Sequence, residues 1–528
     1  MRRERPKPLR TSDRGGATPR VGKASPAEKF MGEGLTALHA EDYERARECF
    51  ARAVQADWRH APARLFLARA QGLAGRASEC AIEMERLVQI APRDAALLIE
   101  AGQTLEKFGL FEQAGGLYER ALGADAASVD ARVRLASNAE RLHRLEQAES
   151  FASEALTRNP LAHEATLVLA RVQRRTGRGD AAIETLQGTL TRSEPPDFAG
   201  ARLWYELASV FDGQGRFKDA ASALGRAKLL LAERRRVLAP AGEEAEYTLR
   251  RFAQELTPSR VQQWIEASAG LASARISALV GFPRSGTTLL EQVLAAHPLI
   301  ESVEESQHLS TELVTGFYRA VTGADSLAQV LDRIAAGDVR RCRENYLRAM
   351  AAHVGGPLGE KWLLDKNPIR TLMMPVLRRA VPGAPFVVAL RDPRDVVLSN
   401  LMQAFEPSAM NVAFLDVAHA GAFYALHMGG WLKLREMIDG WIEVRYEDVV
   451  VDPPAQARRV LDLLALPWHE ALDHFQDATR GRAVRSPTYA AVREQVHTRA
   501  VRRFEHYADY LAPALPAIEP IIKALGYA

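Results

Sequence analysis

Apolar and small residues recur along the first half of this chain at a fixed long period. The triple Ala46, Phe50, Ala53 returns 34 residues later as Cys80, Met84, Leu87, and again as Ala114, Tyr118, Ala121. Two more steps give Ala148, Ala152, Ala155 and then Ala182, Leu186, Thr189. After a four-residue insertion near Glu194, Pro195 and Pro196, the set Ala220, Leu224, Ala227 continues the register. The pattern predicts about six helical hairpins between Ser25 and Glu233, each burying its face only against its neighbours. Small side chains at the crossings let the paired helices approach closely. From Leu229 to Val261 the chain reads as a charged helical connector, with Pro240 and Pro258 as expected breakers. From Ser273 the pattern changes to short apolar runs alternating with helices, which predicts a parallel sheet with crossover connections. Strands are expected at Ile276–Val280, Trp362–Leu364, Phe386–Leu390 and Ile442–Val444, each followed by a polar cluster. Ligands gather at the carboxyl ends of strands in such sheets, so these clusters should converge.

A 34-residue period with small residues at the crossings resembles the tetratricopeptide repeat. That resemblance implies an α-solenoid whose concave surface binds a peptide or protein; a rigid spacer or a dimerisation arm is the alternative.

The most informative stretch is Leu279 to Leu290. An apolar strand breaks at Gly281, a loop carries Pro283, Arg284, Ser285 and Gly286, and Thr287 and Thr288 open a helix. Unpaired N–H groups and the helix dipole favour an anion there. The loop is close to G-x-x-x-x-G-K-[ST], but Thr287 holds the lysine position and the positive charge lies inside the loop as Arg284. ATPases and GTPases normally need that lysine on the outer phosphates. After Phe386–Leu390, Arg391 sits at a strand end with Ser399 eight residues on, a pair able to grip a second phosphate. A salt bridge from Arg391 to Asp392 or Asp395 is the alternative.

The run P-R-S-G-T-T (Pro283–Thr288) is that of sulfotransferases, and the spacing of Arg391 and Ser399 resembles their 3′-phosphate motif. The resemblance implies a P-loop-type α/β domain whose donor is 3′-phosphoadenylyl sulfate (PAPS), with no metal required. Arg284, Ser285, Gly286, Thr287 and Thr288 would hold the 5′-phosphosulfate, and Arg391 and Ser399 the 3′-phosphate. The segment from His297-Pro298 to Glu304-Glu305 resembles the protein-tyrosine sulfotransferase pattern H-P-x-x-x-x-x-E-E-T-R. It implies Glu305 as the catalytic base, which suits a hydroxyl that must lose a proton as it attacks sulfur. A helix-start charge pair, or His308 as base, are rivals. The family's arginine two positions later is Gln307 here. Asp365-Lys366-Asn367-Pro368 resembles the K-[DN]-P motif, making Lys366 an electrostatic stabiliser. Tyr446, in Arg445-Tyr446-Glu447-Asp448, matches a tyrosine near the nucleotide, or else a core-edge residue. The tail from Arg485 to Arg499 resembles the family's C-terminal nucleotide loop. Thr488 takes the transition-state hydroxyl, Ser486 is its rival, and Arg503 replaces a lysine. Gln403 stands where the family has another arginine.

Length, charge and cysteine change this picture little. The 528 residues divide into a disordered basic tail (1–24), repeats (25–233), a helical connector (234–272) and the transferase domain (273–528). A net charge of +3 gives no case for nucleic-acid binding. Cys49, Cys80 and Cys342 form no metal or disulfide pattern, and no run is long enough to span a bilayer. A cytoplasmic enzyme is expected, with a hydroxyl-bearing acceptor, and a homodimer is left open. The acceptor is expected to be a protein or peptide tyrosine, with a glycan or small-molecule hydroxyl as the alternative. A P-loop kinase and a non-catalytic repeat scaffold are the readings from other classes.

Overall fold

The computed structural model describes residues 25–40, 42–476 and 498–527. Six helical hairpins run from Pro26 to Leu230, beginning with Pro26–His39 and Tyr43–Ala56 and ending with Asp197–Gly213 and Phe217–Leu230. Every residue of the six periodic triples is buried to 1% exposure or less, so the repeat register is the packing register. The close approach depends on small residues. A Cβ on Gly34 would fall 2.5 Å from the Phe50 ring, and one on Gly102 would fall 2.4 Å from the Tyr118 ring. Arg76–Glu44, Arg144–Glu112 and Arg226–Glu194 join residues 32 apart at 2.7–2.9 Å, bridging the first and second, third and fourth, and fifth and sixth units. These pairs are half-exposed and add little each; buried apolar area holds the stack.

The connector helix, Ala232–Glu255, continues through Pro240. The expected break does not occur there. Proline costs that helix one hydrogen bond, but the next turn is locked in place: a Cβ on Gly242 would meet Val412 at 2.6 Å and the Ala409 carbonyl at 3.0 Å. Pro258 instead opens the following helix, Pro258–Glu266, capped by Thr257.

The C-terminal half is a five-stranded parallel sheet. Its strands are β1 (Ile276–Val280), β2 (Ile300–Glu304), β3 (Trp362–Lys366), β4 (Phe386–Leu390) and β5 (Trp441–Arg445), in the order β2-β3-β1-β4-β5. β1 and β4 are buried along their whole length, which suits a sheet covered on both faces. β1 feeds its crossover toward β2, while β4 feeds the other way toward β5. A crevice therefore opens at the carboxyl ends of β1 and β4. Helix Val417–Leu434 packs against the turn Pro368–Met373 and the C-terminal helix Leu515–Ala524.

Candidate functional site

The loop after β1 is fixed from three sides. Gly281 (φ +149°) lies so close to β4 that a Cβ would stand 2.4 Å from the Ala389 carbonyl. Thr371 Oγ1 accepts from the Gly281 N–H at 3.1 Å and donates to its carbonyl at 2.6 Å. Asn400 Nδ2 donates to the Pro283 carbonyl at 2.9 Å. Arg284 takes φ +74°, and Gly286 is left-handed at φ +95°, where a Cβ would strike the Tyr446 ring at 2.6 Å. Helix Thr287–Ala295 has no side-chain cap, so its first-turn N–H groups open on a cavity lined by Gly286, Thr287 and Thr288. Ser285 is buried, its Oγ accepting from the Phe282 N–H at 3.4 Å.

This loop meets helix Pro393–Leu401 and the turn before it. Arg284 Nε donates to Ser399 Oγ at 3.1 Å, and Arg391 Nη1 donates to the Arg284 carbonyl at 3.2 Å. Arg391 lies over the Tyr446 ring, 4.7 Å from its centroid. Its salt bridge to Asp395 is long, 3.7 Å, and its buried Nε has no hydrogen-bond partner among the described residues. Burial and the like charge of Arg391, with a further contribution from Arg503, push Arg284 down to about 10. Crowded guanidinium groups of this kind are relieved by a bound polyanion. The donor set, the glycine approach and the orphaned Nε all fit a phosphate-bearing nucleotide.

Glu305 follows β2 with φ +48°, its N–H bonded to the Lys366 carbonyl at 2.7 Å. Its side chain is half-exposed and lines the same cavity. Lys366 is wholly buried behind it and does not line the cavity. The Lys366 Nζ reaches Glu304 and Glu305 at 3.1 Å and Glu291 at 3.4 Å. Burial opposes its charge, but the Glu291, Glu305 and Glu304 carboxylates outweigh it and hold the ammonium above its ordinary range. Burial pushes Glu291 up to about 7, against the pull of Lys366. His308 pairs with His353 at 3.2 Å and does not line the cavity, and burial lowers it to about 4. His297 is structural: Nδ1 accepts from the Leu299 N–H and Nε2 meets the Pro467 carbonyl.

Arg503 lines the cavity and is held by Asp212 of the last repeat unit. Thr488 and Ser486 lie outside the described residues.

Two cavity residues carried no motif in the sequence. Arg370 is buried; Nη2 donates to the Ser306 carbonyl at 2.8 Å and to Gln307 Oε1 at 3.2 Å, while Nη1 has no partner among the described residues. His427 is fully buried, burial lowers it to about 4, and neither ring nitrogen has a partner among those residues. Both line the cavity of about 760 Å³, beside an apolar arm formed by Leu249, Ile369, Met373, Phe405, Met410 and Phe414. Hydrophobic periodicity announces neither residue, because each sits in an element that is apolar on every side.

Residues 278–470 match the model of the sulfotransferase family, and residues 133–197 match that of the tetratricopeptide repeat. An uncharacterized protein of Aquifex aeolicus is 22% identical over 72% of this chain and 49% of its own length. Protein-tyrosine sulfotransferase 1 of Danio rerio is 26% identical over 37% of this chain and 55% of its own. A putative protein-tyrosine sulfotransferase of Caenorhabditis briggsae is 23% identical over 47% and 87%. The chain thus spans about half the length of the first two of these relatives. It joins tetratricopeptide repeats to a C-terminal domain of the sulfotransferase family.

Proposed function

We propose that the chain moves a sulfuryl group from PAPS to a hydroxyl acceptor, with a protein or peptide tyrosine as the favoured one. The observation that carries this reading is the meeting of Arg284, Ser399 and Arg391 at one crevice that Glu305 also lines. One nucleotide with phosphates at both ends answers both guanidinium charges and the hydroxyl. Glu305 takes the acceptor proton as the oxygen attacks sulfur. A new S–O bond forms, the bond from sulfur to the 5′-phosphate breaks, and adenosine 3′,5′-bisphosphate leaves. Lys366, buried behind the cavity wall, serves by orienting the Glu305 carboxylate through their 3.1 Å contact, and Thr488 or Ser486 supplies a hydroxyl to the transferring group.

The names of the relatives support a tyrosine acceptor. The apolar arm favours an aromatic hydroxyl over a glycan, which would need many more hydrogen-bonding groups. The repeats offer a surface for a peptide or protein, and three buried free thiols suit a cytoplasmic location. Turnover of labelled PAPS against tyrosine peptides, simple phenols and glycans tests the reading. Transfer to tyrosine or phenol is expected; transfer to glycans alone overturns the acceptor, and no transfer to any of them overturns the activity.

A further inference from the structure

The last repeat unit touches the candidate donor site directly. Asp212 lies at the end of helix Asp197–Gly213, in the sixth hairpin. It meets Arg503 by two bonds, Oδ1 to Nε at 3.0 Å and Oδ2 to Nη2 at 2.6 Å. Tyr507 Oη donates to the same carboxylate at 2.7 Å. On the following helix, Phe217 stacks on His506 with centroids 4.1 Å apart. The segment carrying Arg503 is gripped on its other side by Asp395, which accepts from the Arg502 and Phe504 N–H groups at 2.8 and 2.9 Å. Asp395 belongs to the helix that begins just after Arg391.

We propose that Asp212 is a positioning residue for the donor site, so that the repeat array supplies part of that site rather than only a separate binding arm. The fork contact uses the Nε–Nη2 edge of Arg503 and fixes the guanidinium plane. Nη1 is left for the cavity that Arg503 lines, where it adds a third positive charge to those of Arg284 and Arg391. An arginine on a short 3-10 turn, free to swing, would lose much of its affinity to ordering. Asp212 has already met that cost across the boundary between solenoid and transferase domain. This inference rests on the phosphate-binding reading of the cavity.

The test is calorimetric titration of the full chain with adenosine 3′,5′-bisphosphate, using the natural protein, Asp212→Asn, Asp212→Glu and Tyr507→Phe, with thermal melting of each. Asparagine still accepts from Tyr507 but releases the ionic fork. The expected results are affinity about tenfold weaker for Asp212→Asn, recovery of most of it in Asp212→Glu, and no change for Tyr507→Phe. Equal affinity of Asp212→Asn and the natural protein overturns the inference while leaving the donor reading intact. Loss of affinity in Tyr507→Phe matching that in Asp212→Asn also overturns it, since the contact would then be mere domain glue. Failure of the natural protein to bind the bisphosphate overturns the donor reading and the inference together.

Discussion

Arg391 donates from Nη1 to the main-chain oxygen of Arg284 at 3.2 Å, across 107 positions of sequence. The loop after β1 and the turn after β4 are thereby tied together at one crevice, the anion cradle of the proposed reading. The same bond orients the loop backbone while Ser399 holds the Arg284 side chain. A donor entering this crevice meets arginines already placed by protein contacts, so little ordering is left to the binding step.

Replacing Arg391 should therefore cost more than one contact. Arg391→Ala removes the proposed phosphate ligand together with the tie to Arg284 and the cation over Tyr446. Affinity for adenosine 3′,5′-bisphosphate should fall by about a hundredfold or more. Arg391→Lys should recover little of it, because an ammonium cannot make the forked contact. Calorimetry on both variants checks this.

Glu305 and Lys366 should separate chemistry from folding. Glu305→Gln keeps the volume but not the base, so kcat should drop by about two to four orders of magnitude with donor affinity unchanged. Lys366→Met leaves Glu304, Glu305 and Glu291 facing one another without their shared cation. Stability should fall by about 3–5 kcal/mol. Single-turnover kinetics on the first variant and denaturant melts on the second read these outcomes.

Gly286→Ala probes the backbone. The residue sits at φ +95°, and its Cβ would press on Tyr446 at 2.6 Å. The strain of about 1–3 kcal/mol should appear as weaker bisphosphate binding, a lower Tm, or both. A variant that matches the natural protein in both measurements would contradict the close approach of Gly286 to the Tyr446 ring.

Stability should respond to pH in two opposed ways. Glu291 is raised from 4.5 to about 7, so the folded state holds a proton that the unfolded state releases first. Its contribution is present below about 4.5 and is lost as pH rises through 7. Glu291→Gln should gain on the natural protein between pH 5 and pH 7.5. His427 and His308 are lowered from 6.5 to about 4. They favour the fold above 6.5, and that contribution is lost as pH falls toward 4. Melting curves of His427→Leu should therefore show a smaller acid loss than the natural protein.

Much of this arrangement can be read in the sequence, for identifiable physical reasons. The repeat triples are visible because packing between equivalent helices imposes one period on all six units. β1 and β4 are visible because strands buried on both faces are continuously apolar. β2 escapes because Ile300-Glu301-Ser302-Val303-Glu304 runs along the sheet edge with partly exposed polar positions. The loop after β1 and the Arg391–Ser399 spacing are visible as short motifs, but the bonds that bring them together, Arg284 to Ser399 and Arg391 to the Arg284 carbonyl, span more than 100 positions. The burial of Lys366 under three carboxylates, the Arg370–Gln307 contact and the Asp212–Arg503 fork join residues far apart in the chain. No local pattern encodes them, and only the folded structure brings them into view. Pro240 escapes differently, since a local breaker rule was overridden by packing on the next turn.

The most direct measurement is a calorimetric comparison of adenosine 3′,5′-bisphosphate with ADP on the intact chain. If one nucleotide is gripped at both ends by Arg284 and Arg391, the 3′,5′-bisphosphate binds tightly, ADP binds far more weakly, and Arg391→Ala erases the difference. ADP binding as well as or better than the 3′,5′-bisphosphate would contradict that claim.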